Sequence, residues 1–481
     1  MLLLAVLACS SSPTPDEAPA LDPAPTVLWL TVDTLRADRL GFAGHDAART
    51  PNLDALAARG RVFPKATTPL PRTTPALATA LTGRLPDHHG SAEVGDPIRD
   101  DVQTLAAHLT AQGWHTVGRS AMQVAGPEQG LDRGFADFAV RHDAAAADLV
   151  SETLDALRSA PAGQQRFVWL HLADPHFPYL PEGATGPCAD LGRDAAEGKA
   201  RRVDWFADMG GRSTALVDDC SQLYDAEIAA VDAAVGPLLD ALPDALVVFS
   251  ADHGEHLGEQ GIFFEHGPTV HPADLSIPLV VAGPGIEAGT DDRLAQLQDL
   301  APTTLAQLAL PPLDSDGVDL LGGEPRTIAR ARSGSALQAR LTSVLVAGRG
   351  KRWCLHGPRW SRCVTPRKVT LHDRDADPTL SKDVSAQHPD EAEAMAAHAA
   401  KWKPEGAREH VVFDGEHALV ARPKLEGGYD AQLVRASDRT PVDDLEVRTR
   451  LEHRLPAALP VRASERSTEE LERLRALGYV E

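Results

Sequence analysis

Basic charge is what this chain has too little of. Its 47 Lys and Arg stand against 69 Asp and Glu over 481 residues, for a formal net charge of -22. A surface of that sign repels a phosphate backbone, which excludes nucleic acid as a partner and leaves any anionic substrate to be drawn in by a local cationic site. Long apolar runs are missing as well, since the N-terminal run from Met1 to Ala8 is too short to span a bilayer. Cysteine is scarce, with five in all, and no two stand at C-x-x-C spacing, which argues against a cysteine-ligated metal site. Aromatic residues make up only 5%, yet 43% of the chain is hydrophobic, so the body is not intrinsically disordered. No internal repeat is evident, and nothing in the sequence sets an oligomeric state.

The first fifteen residues carry no charged side chain, and Val6-Leu7-Ala8-Cys9 resembles a bacterial lipoprotein signal with its lipobox. The positively charged start of a signal peptide is absent, so a wrongly set start codon truncating an ordinary signal is the other reading. Lipidation at Cys9 is the expectation, followed by a flexible tether rich in Ser, Pro and Ala that ends at Pro25. The protein is then exported, to the bacterial periplasm or the outer membrane surface, and meets a membrane only through its lipid. Four cysteines remain, Cys188, Cys220, Cys354 and Cys363. An even number in an exported chain suggests two disulfides, most simply between sequence neighbours, although three connectivities are open.

From Thr26 to Val32 the chain is apolar and β-branched, as in a strand buried on both faces of a parallel sheet, and Asp33 leaves its carboxyl end. Thr50-Pro51 opens a helix that stops at Gly60. Alternation continues with a helix near Val102 to Gln112, strands at His115 to Gly118 and Phe167 to Leu172, a helix from Gln222 to Leu242 and a strand from Ala245 to Ser250. A strand at Ile277 to Ala282 and a helix from Leu300 to Leu308 complete this part. The pattern predicts an α/β domain over residues 26–335, with a mostly parallel central sheet flanked by helices and sites at the strands' carboxyl ends. Short alternating runs follow, at Leu341 to Ala347, Arg352 to Leu355, Val411 to Phe413 and Ala418 to Val420. They predict a smaller antiparallel sheet domain over residues 336–481, closed by a helix from Thr468 to Leu477.

Three segments carry chemistry. Val32-Asp33-Thr34-Leu35-Arg36-Ala37-Asp38 follows the first strand, Thr73-Thr74-Pro75-Ala76-Leu77 through Thr82-Gly83 opens a helix, and Ser250-Ala251-Asp252-His253-Gly254-Glu255 follows a later strand. With Thr50-Pro51-Asn52-Leu53, His171 through His176, Glu265-His266-Gly267, Asp299 through Thr303 and the terminal Leu474 through Tyr479, they resemble the sulfatase branch of the alkaline phosphatase superfamily. The resemblance covers nearly all of the body after residue 26.

It implies an alkaline phosphatase-like fold and one divalent metal ion, which activates the nucleophile and neutralises an anionic ester. Asp33, Asp252, His253 and the Thr73 oxygen become the metal ligands. Where the family has a second carboxylate this chain has Thr34, and where it commonly has Asn this chain has His253. Fewer carboxylates and one imidazole favour zinc or manganese, with calcium still possible. Thr73 occupies the position of the Cys or Ser that sulfatases convert to formylglycine, a conversion threonine does not undergo. Ala76 and Leu77 also replace the Ser and Arg expected after Pro75.

Family-type sulfate hydrolysis is thereby disfavoured, and direct attack by Thr73 on phosphorus in a phosphate ester or phosphonate is favoured. Pro75 in the first helical turn puts Thr73 near the positive end of a helix. Arg72 is a candidate clamp for the substrate anion, and Arg119 falls near a site lysine of many relatives. His176 and His266 match site histidines that bind the anion or protonate the leaving group. Glu255 and His256 are candidates for orienting His253, whereas Asp38, His88 and His89 are assigned to folding. The expected activity is hydrolysis of a small or polymeric anionic ester through a covalent Thr73 intermediate. The alternatives are a transferase using the same site, or a non-catalytic binding protein that retains the fold.

Overall fold

This computed structural model describes residues 21–196, 214–259, 263–267 and 271–326, with shorter stretches at 329–332, 353–356, 360–364, 369–373, 383–393, 410–413, 417–423, 429–435 and 441–452. The apolar segments read as strands assemble into one eight-stranded sheet. In chain order its strands are β1 (Thr26–Val32), β2 (Arg61–Val62), β3 (His115–Ser120), β4 (Asp137–Val140), β5 (Arg166–Leu172), β6 (Leu246–Ala251), β7 (Leu279–Ala282) and β8 (Gly289–Thr290). Across the sheet they lie in the order β8-β2-β7-β6-β1-β5-β3-β4. The expected mostly parallel sheet is present, with β7 as the antiparallel member against β6 and β2.

β1 is buried along its whole length because it is central, pairing in parallel with β5 on one side and β6 on the other. The register sets Val32 beside both Leu172 and Ala251, so Asp33 and Asp252 leave the sheet at one level. Parallel strands thus bring Thr34 and Asp252, 218 positions apart in sequence, into hydrogen-bonding contact at one edge.

The flanking helices are α1 (Pro51–Ala58), α2 (Thr73–Thr82), α3 (Leu105–Ala111), α4 (Ala146–Ser159), α5 (Thr214–Ala241) and α6 (Leu300–Gln307). Two of the motif segments serve this framework. Asp232 of α5 accepts the backbone N–H of Leu53 at 2.8 Å and the Asn52 side chain at 2.9 Å, which pins Thr50-Pro51-Asn52-Leu53. Asp299 accepts the N–H groups of Gln296 and Val318 and pairs with Arg326, which anchors the start of α6.

Cys188, in a helix at Pro187–Ala196, is bonded to Cys220 of α5, with Cα atoms 5.2 Å apart. This is the neighbour pairing expected. Cys354 and Cys363 stand opposite each other in the register of antiparallel strands Trp353–His356 and Trp360–Val364, while their side chains lie outside the described residues. A four-stranded antiparallel sheet also forms in the C-terminal part, and it takes its edge strand from Ala329–Arg332. Hydrogen bonding to His410–Phe413 therefore draws in residues that lie before the expected boundary at 336. Cys9, the strand expected at Leu341 to Ala347 and the helix expected at Thr468 to Leu477 fall outside the described residues. Among the described residues no helix is long and apolar enough to cross a membrane.

Candidate metal centre and nucleophile

Asp33, Asp252 and His253 are wholly buried, and each offers a ligand atom within 4.8 Å of the others. His253 Nε2 lies 3.3 Å from Asp252 Oδ2 and 3.7 Å from Asp33 Oδ1. Its other nitrogen is committed, because Nδ1 donates to the Gly254 carbonyl at 3.0 Å. That bond fixes the tautomer and leaves the Nε2 lone pair facing two carboxylates, an arrangement that needs a cation between them. Asp33 Oδ1, Asp252 Oδ2 and Thr34 Oγ1 are buried without a hydrogen-bond partner, so the residues present fit a divalent ion.

Burial raises the Asp33 carboxyl to about 8, with the charge of Glu255 adding to the effect. Asp252 is raised well above the usual carboxylate range by burial and by Asp33. His253 is lowered to about 3, again chiefly by burial. A bound cation reverses the first two effects, since it stabilises the ionised carboxylates, and it suits the neutral imidazole.

Thr34 takes a left-handed backbone conformation, φ 57°, that non-glycine residues rarely adopt. The turn is held from both sides, by the Thr34 N–H donating to Asp252 Oδ1 at 3.2 Å and by Tyr224 Oη donating to the Thr34 carbonyl at 2.7 Å. Where two carboxylates were expected in relatives, the second position here is a neutral hydroxyl locked in a tight turn.

Thr73 is the first residue of α2 and is completely buried. Its hydroxyl donates toward Asp33 Oδ2 at 3.4 Å and lies 3.5 Å from His253 Nε2. The helix N-terminus adds unpaired N–H groups and positive potential at this point. Arg72 immediately precedes the helix, buried, with Nη1 3.7 Å from Glu265 Oε1. Gly267, at φ 92°, makes this possible, because a Cβ there would sit 2.2 Å from Arg72 Nε. The segment Glu265-His266-Gly267 thus supplies a counter-charge, a site imidazole and the space for a guanidinium in three consecutive residues.

His266 packs against His253 with ring centroids 4.2 Å apart, and His176 meets His266 edge-on at 5.5 Å. His176 Nδ1 donates to the Phe177 carbonyl at 2.7 Å, and His266 Nδ1 donates to Glu255 Oε1 at 3.2 Å. Tyr179 Oη holds the other Glu255 oxygen at 3.4 Å. Glu255 therefore orients His266, and the expectation that it orients His253 is corrected. His256 is likewise turned away, toward Asp274 at 3.2 Å.

With this geometry in place, comparison with known proteins assigns the ancestry. The sulfatase family model matches residues 25–310. The chain belongs to the sulfatase family. It is 26% identical to the choline-sulfatase of Rhizobium meliloti over 365 residues, covering 62% of this chain and 71% of that one. Identity to the arylsulfatase A of Bos taurus is 30% over 342 residues, 62% of this chain and 67% of that one. A phosphonate monoester hydrolase from Silicibacter pomeroyi shares the fold at TM-score 0.52 and 19% identity, with 78% of this chain and 94% of that one covered. A structure in complex with its substrate D-glucosamine-2-N,6-O-disulfate does so at TM-score 0.52 and 17% identity, covering 79% and 98%. The chain is an ester hydrolase of a metal-dependent family.

One expectation drawn from sulfatase relatives fails. Arg119 does not reach the site, because its guanidinium binds Asp137 at 2.7 Å and Glu152 of α4 at 3.1 Å. Alternation along β3 points it toward α4, where those two carboxylates hold it. Asp38, His88 and His89 are structural as expected, paired with Arg36, Asp316 and Thr79 respectively. His171 was passed over as part of a motif, yet its Nε2 lies 3.9 Å from Asp33 Oδ2. The available signal was a histidine inside an otherwise apolar strand.

Replacing Gly267 by Ala in this sulfatase-family protein is expected to expel the Arg72 guanidinium and lower kcat/KM by about 100-fold while leaving metal content unchanged. Steady-state kinetics with metal analysis checks this, and an unaltered kcat/KM would remove Arg72 from the site.

A pH effect follows from the buried carboxyls. In chelated protein Asp33 and Glu227, both raised to about 8 chiefly by burial, keep protons in the fold that the unfolded chain releases near 4. His171 and His253, lowered to about 3 from 6.5, oppose this only below about 6.5. Between pH 6.5 and 8 the folded chain binds more protons, so stability falls as pH rises through that window. Thermal denaturation of chelated protein is expected to show this fall, and a divalent cation is expected to diminish it. A midpoint that rises with pH across the window would contradict the assignment.

Proposed function

We propose that the chain hydrolyses an anionic phosphorus ester, a phosphate diester, monoester or phosphonate in preference to a sulfate ester, through a covalent intermediate on Thr73. The observation that carries this reading is the Thr73 hydroxyl, buried at the start of α2 and facing Asp33 and His253. The names of the sequence relatives point to sulfate esters. Thr73 argues for phosphorus, because it retains a hydroxyl that attacks directly where an aldehyde is not formed.

Asp33, Asp252, His253 and Thr73 would hold one divalent ion, with zinc or manganese favoured over calcium by the imidazole and by Thr34. That ion supplies positive charge that lowers the hydroxyl pKa and neutralises the ester. In the first step Thr73 Oγ1 bonds to phosphorus as the bond from phosphorus to the leaving oxygen breaks. The hydroxyl proton departs past Asp33 Oδ2 to solvent, and protonated His266, steadied by Glu255, gives its proton to the leaving oxygen. Arg72 and His176 hold the anion. In the second step water attacks phosphorus, the bond to Thr73 Oγ1 breaks, His266 takes the proton from water and Thr73 regains one from solvent. Resolution by an alcohol in place of water would make the same site a transferase.

Export as a lipoprotein is a second proposal. The Cys188–Cys220 bond supports an oxidising compartment, and Cys9 after the apolar run from Met1 to Ala8 supports the anchor.

Turnover of aryl sulfate, phosphate monoester, phosphodiester and phosphonate, each with zinc, manganese or calcium after chelation, tests the activity. Thr73→Ala is expected to lower phosphorus-ester turnover by about 1000-fold or more with metal content retained, and Thr73→Ser to keep most of it. Sulfate turnover exceeding phosphorus-ester turnover would defeat the substrate reading, and persistent activity in Thr73→Ala the mechanism. For the anchor, Cys9→Ala is expected to move the protein from the membrane to the soluble fraction of the producing cell. Unchanged fractionation would refute it.

A further inference from the structure

We propose that Thr74 is a positioning residue that aims the neighbouring Thr73 hydroxyl at Asp33 and His253, by pinning the first turn of α2 to the loop that leaves β3. This rests on the reading of Thr73 as the nucleophile. The start of a helix is held least by its own backbone, because the N–H groups of the first turn have no partner within it. The bonds of α2 begin only at Ala76, whose N–H donates to the Arg72 carbonyl at 2.9 Å. No side-chain cap comes from Arg72, and Pro75 has no N–H to give.

Thr74 supplies the missing hold from its side chain, which is completely buried. Its Oγ1 donates to the Val124 carbonyl at 2.8 Å and accepts the Gly95 N–H at 2.9 Å. Both partners are themselves anchored. Asp96 Oδ2 accepts the N–H groups of Ala92 and Glu93, at 3.2 and 2.8 Å, which closes the loop that carries Gly95. Val124 lies in a 3-10 turn at Gln123–Ala125, just after β3. There the Met122 N–H donates to Ser120 Oγ at 3.1 Å and the Ala121 N–H to the His171 carbonyl at 2.9 Å.

The register carries this hold to Asp33. Ser120 of β3 pairs with His171 of β5, which pairs with Thr31 of β1, so β3 ends at the edge from which Asp33 leaves. Thr74 thus ties the nucleophile to the sheet that positions Asp33, and the 3.4 Å between Thr73 Oγ1 and Asp33 Oδ2 is set through that tie. Arg72 is held separately, by Glu265 and by the space over Gly267. Loss of the Thr74 hydroxyl therefore misaligns the attack and leaves the anion clamp in place. A misplacement of about 1 Å in a reacting group costs on the order of 100-fold in rate.

The test uses full-length protein and four variants. Thr74→Ser keeps both hydrogen bonds, Thr74→Val keeps the shape and loses both, and Thr74→Ala loses both with less bulk. Thr153→Val is the control, since it removes a buried hydroxyl of α4 that bonds the Leu149 carbonyl at 2.6 Å. On the ester that the wild-type chain turns over fastest, Thr74→Val and Thr74→Ala are expected to lower kcat by ~10- to 100-fold with KM and metal content unchanged. Thr74→Ser and Thr153→Val are expected to keep most of the wild-type kcat. Independently of turnover, amide hydrogen exchange at Ala76 in chelated protein is expected to quicken in the Val and Ala variants at position 74 and to stay at the wild-type rate in Thr74→Ser. A kcat for Thr74→Val equal to that of Thr153→Val would overturn the inference, as would a loss that Thr74→Ser shares, or unaltered exchange at Ala76 in Thr74→Val. Persistent activity in Thr73→Ala would instead overturn the Thr73 reading, and this inference with it.

Discussion

Two carboxylates buried side by side at the end of a parallel sheet are the constraint from which the rest of this site follows. Asp33 and Asp252 leave adjacent strands at one level, both fully shielded from water. Like charges so placed are tolerated only if they are protonated or share a cation. The surrounding bonds favour the second outcome. Asp252 Oδ1 is occupied by two backbone N–H groups, from Thr34 and His253, which stabilise an ionised carboxylate. His253 gives its proton away from the pair, to Gly254, and so presents a lone pair in place of a third proton.

The same constraint accounts for how cations of the protein are arranged around the centre. Arg72 is buried immediately before Thr73, drawn toward Glu265 and fitted over Gly267. It is thus held at the helix start, where an anion would meet it together with N–H groups of the first turn. His266 answers to Glu255, which leaves a hydrogen-bonded imidazole and carboxylate beside the Asp33, Asp252 and His253 cluster. A chain carrying a net charge of -22 therefore concentrates its attraction for anions within one small volume.

Much of this was legible in the sequence because it depends on strand ends. An apolar run followed by Asp predicts a ligand at a sheet edge, and β1 and β6 place Asp33 and Asp252 there. Pro75 in the first turn likewise locates Thr73, since proline is accepted where a helix has no N–H partner to lose. What was not legible depends on which way a side chain turns. Arg119 sits near the end of a suitable strand, but the alternation of β3 turns it toward Glu152. Glu255 follows His253 by two residues and faces His266 instead, because Tyr179 and His266 close on it from other segments. His171 escaped notice since the register of β1 against β5, which sets it opposite Thr31, is a property of the sheet and of neither strand alone.

Thr34 and Thr73 are best understood together. A second carboxylate at position 34 would add negative charge beside the cation and reduce its pull on the nucleophile's proton. The neutral Thr34 hydroxyl, locked at φ 57°, avoids that loss. An aldehyde hydrate is already activated for its reaction, whereas an alcohol such as Thr73 has an intrinsically high pKa and depends on the local field to ionise. A centre with one fewer carboxylate, the buried His253 imidazole and a helix N-terminus would therefore suit the threonine nucleophile proposed above. On the proposed reading, the two departures from the usual sulfatase pattern support each other.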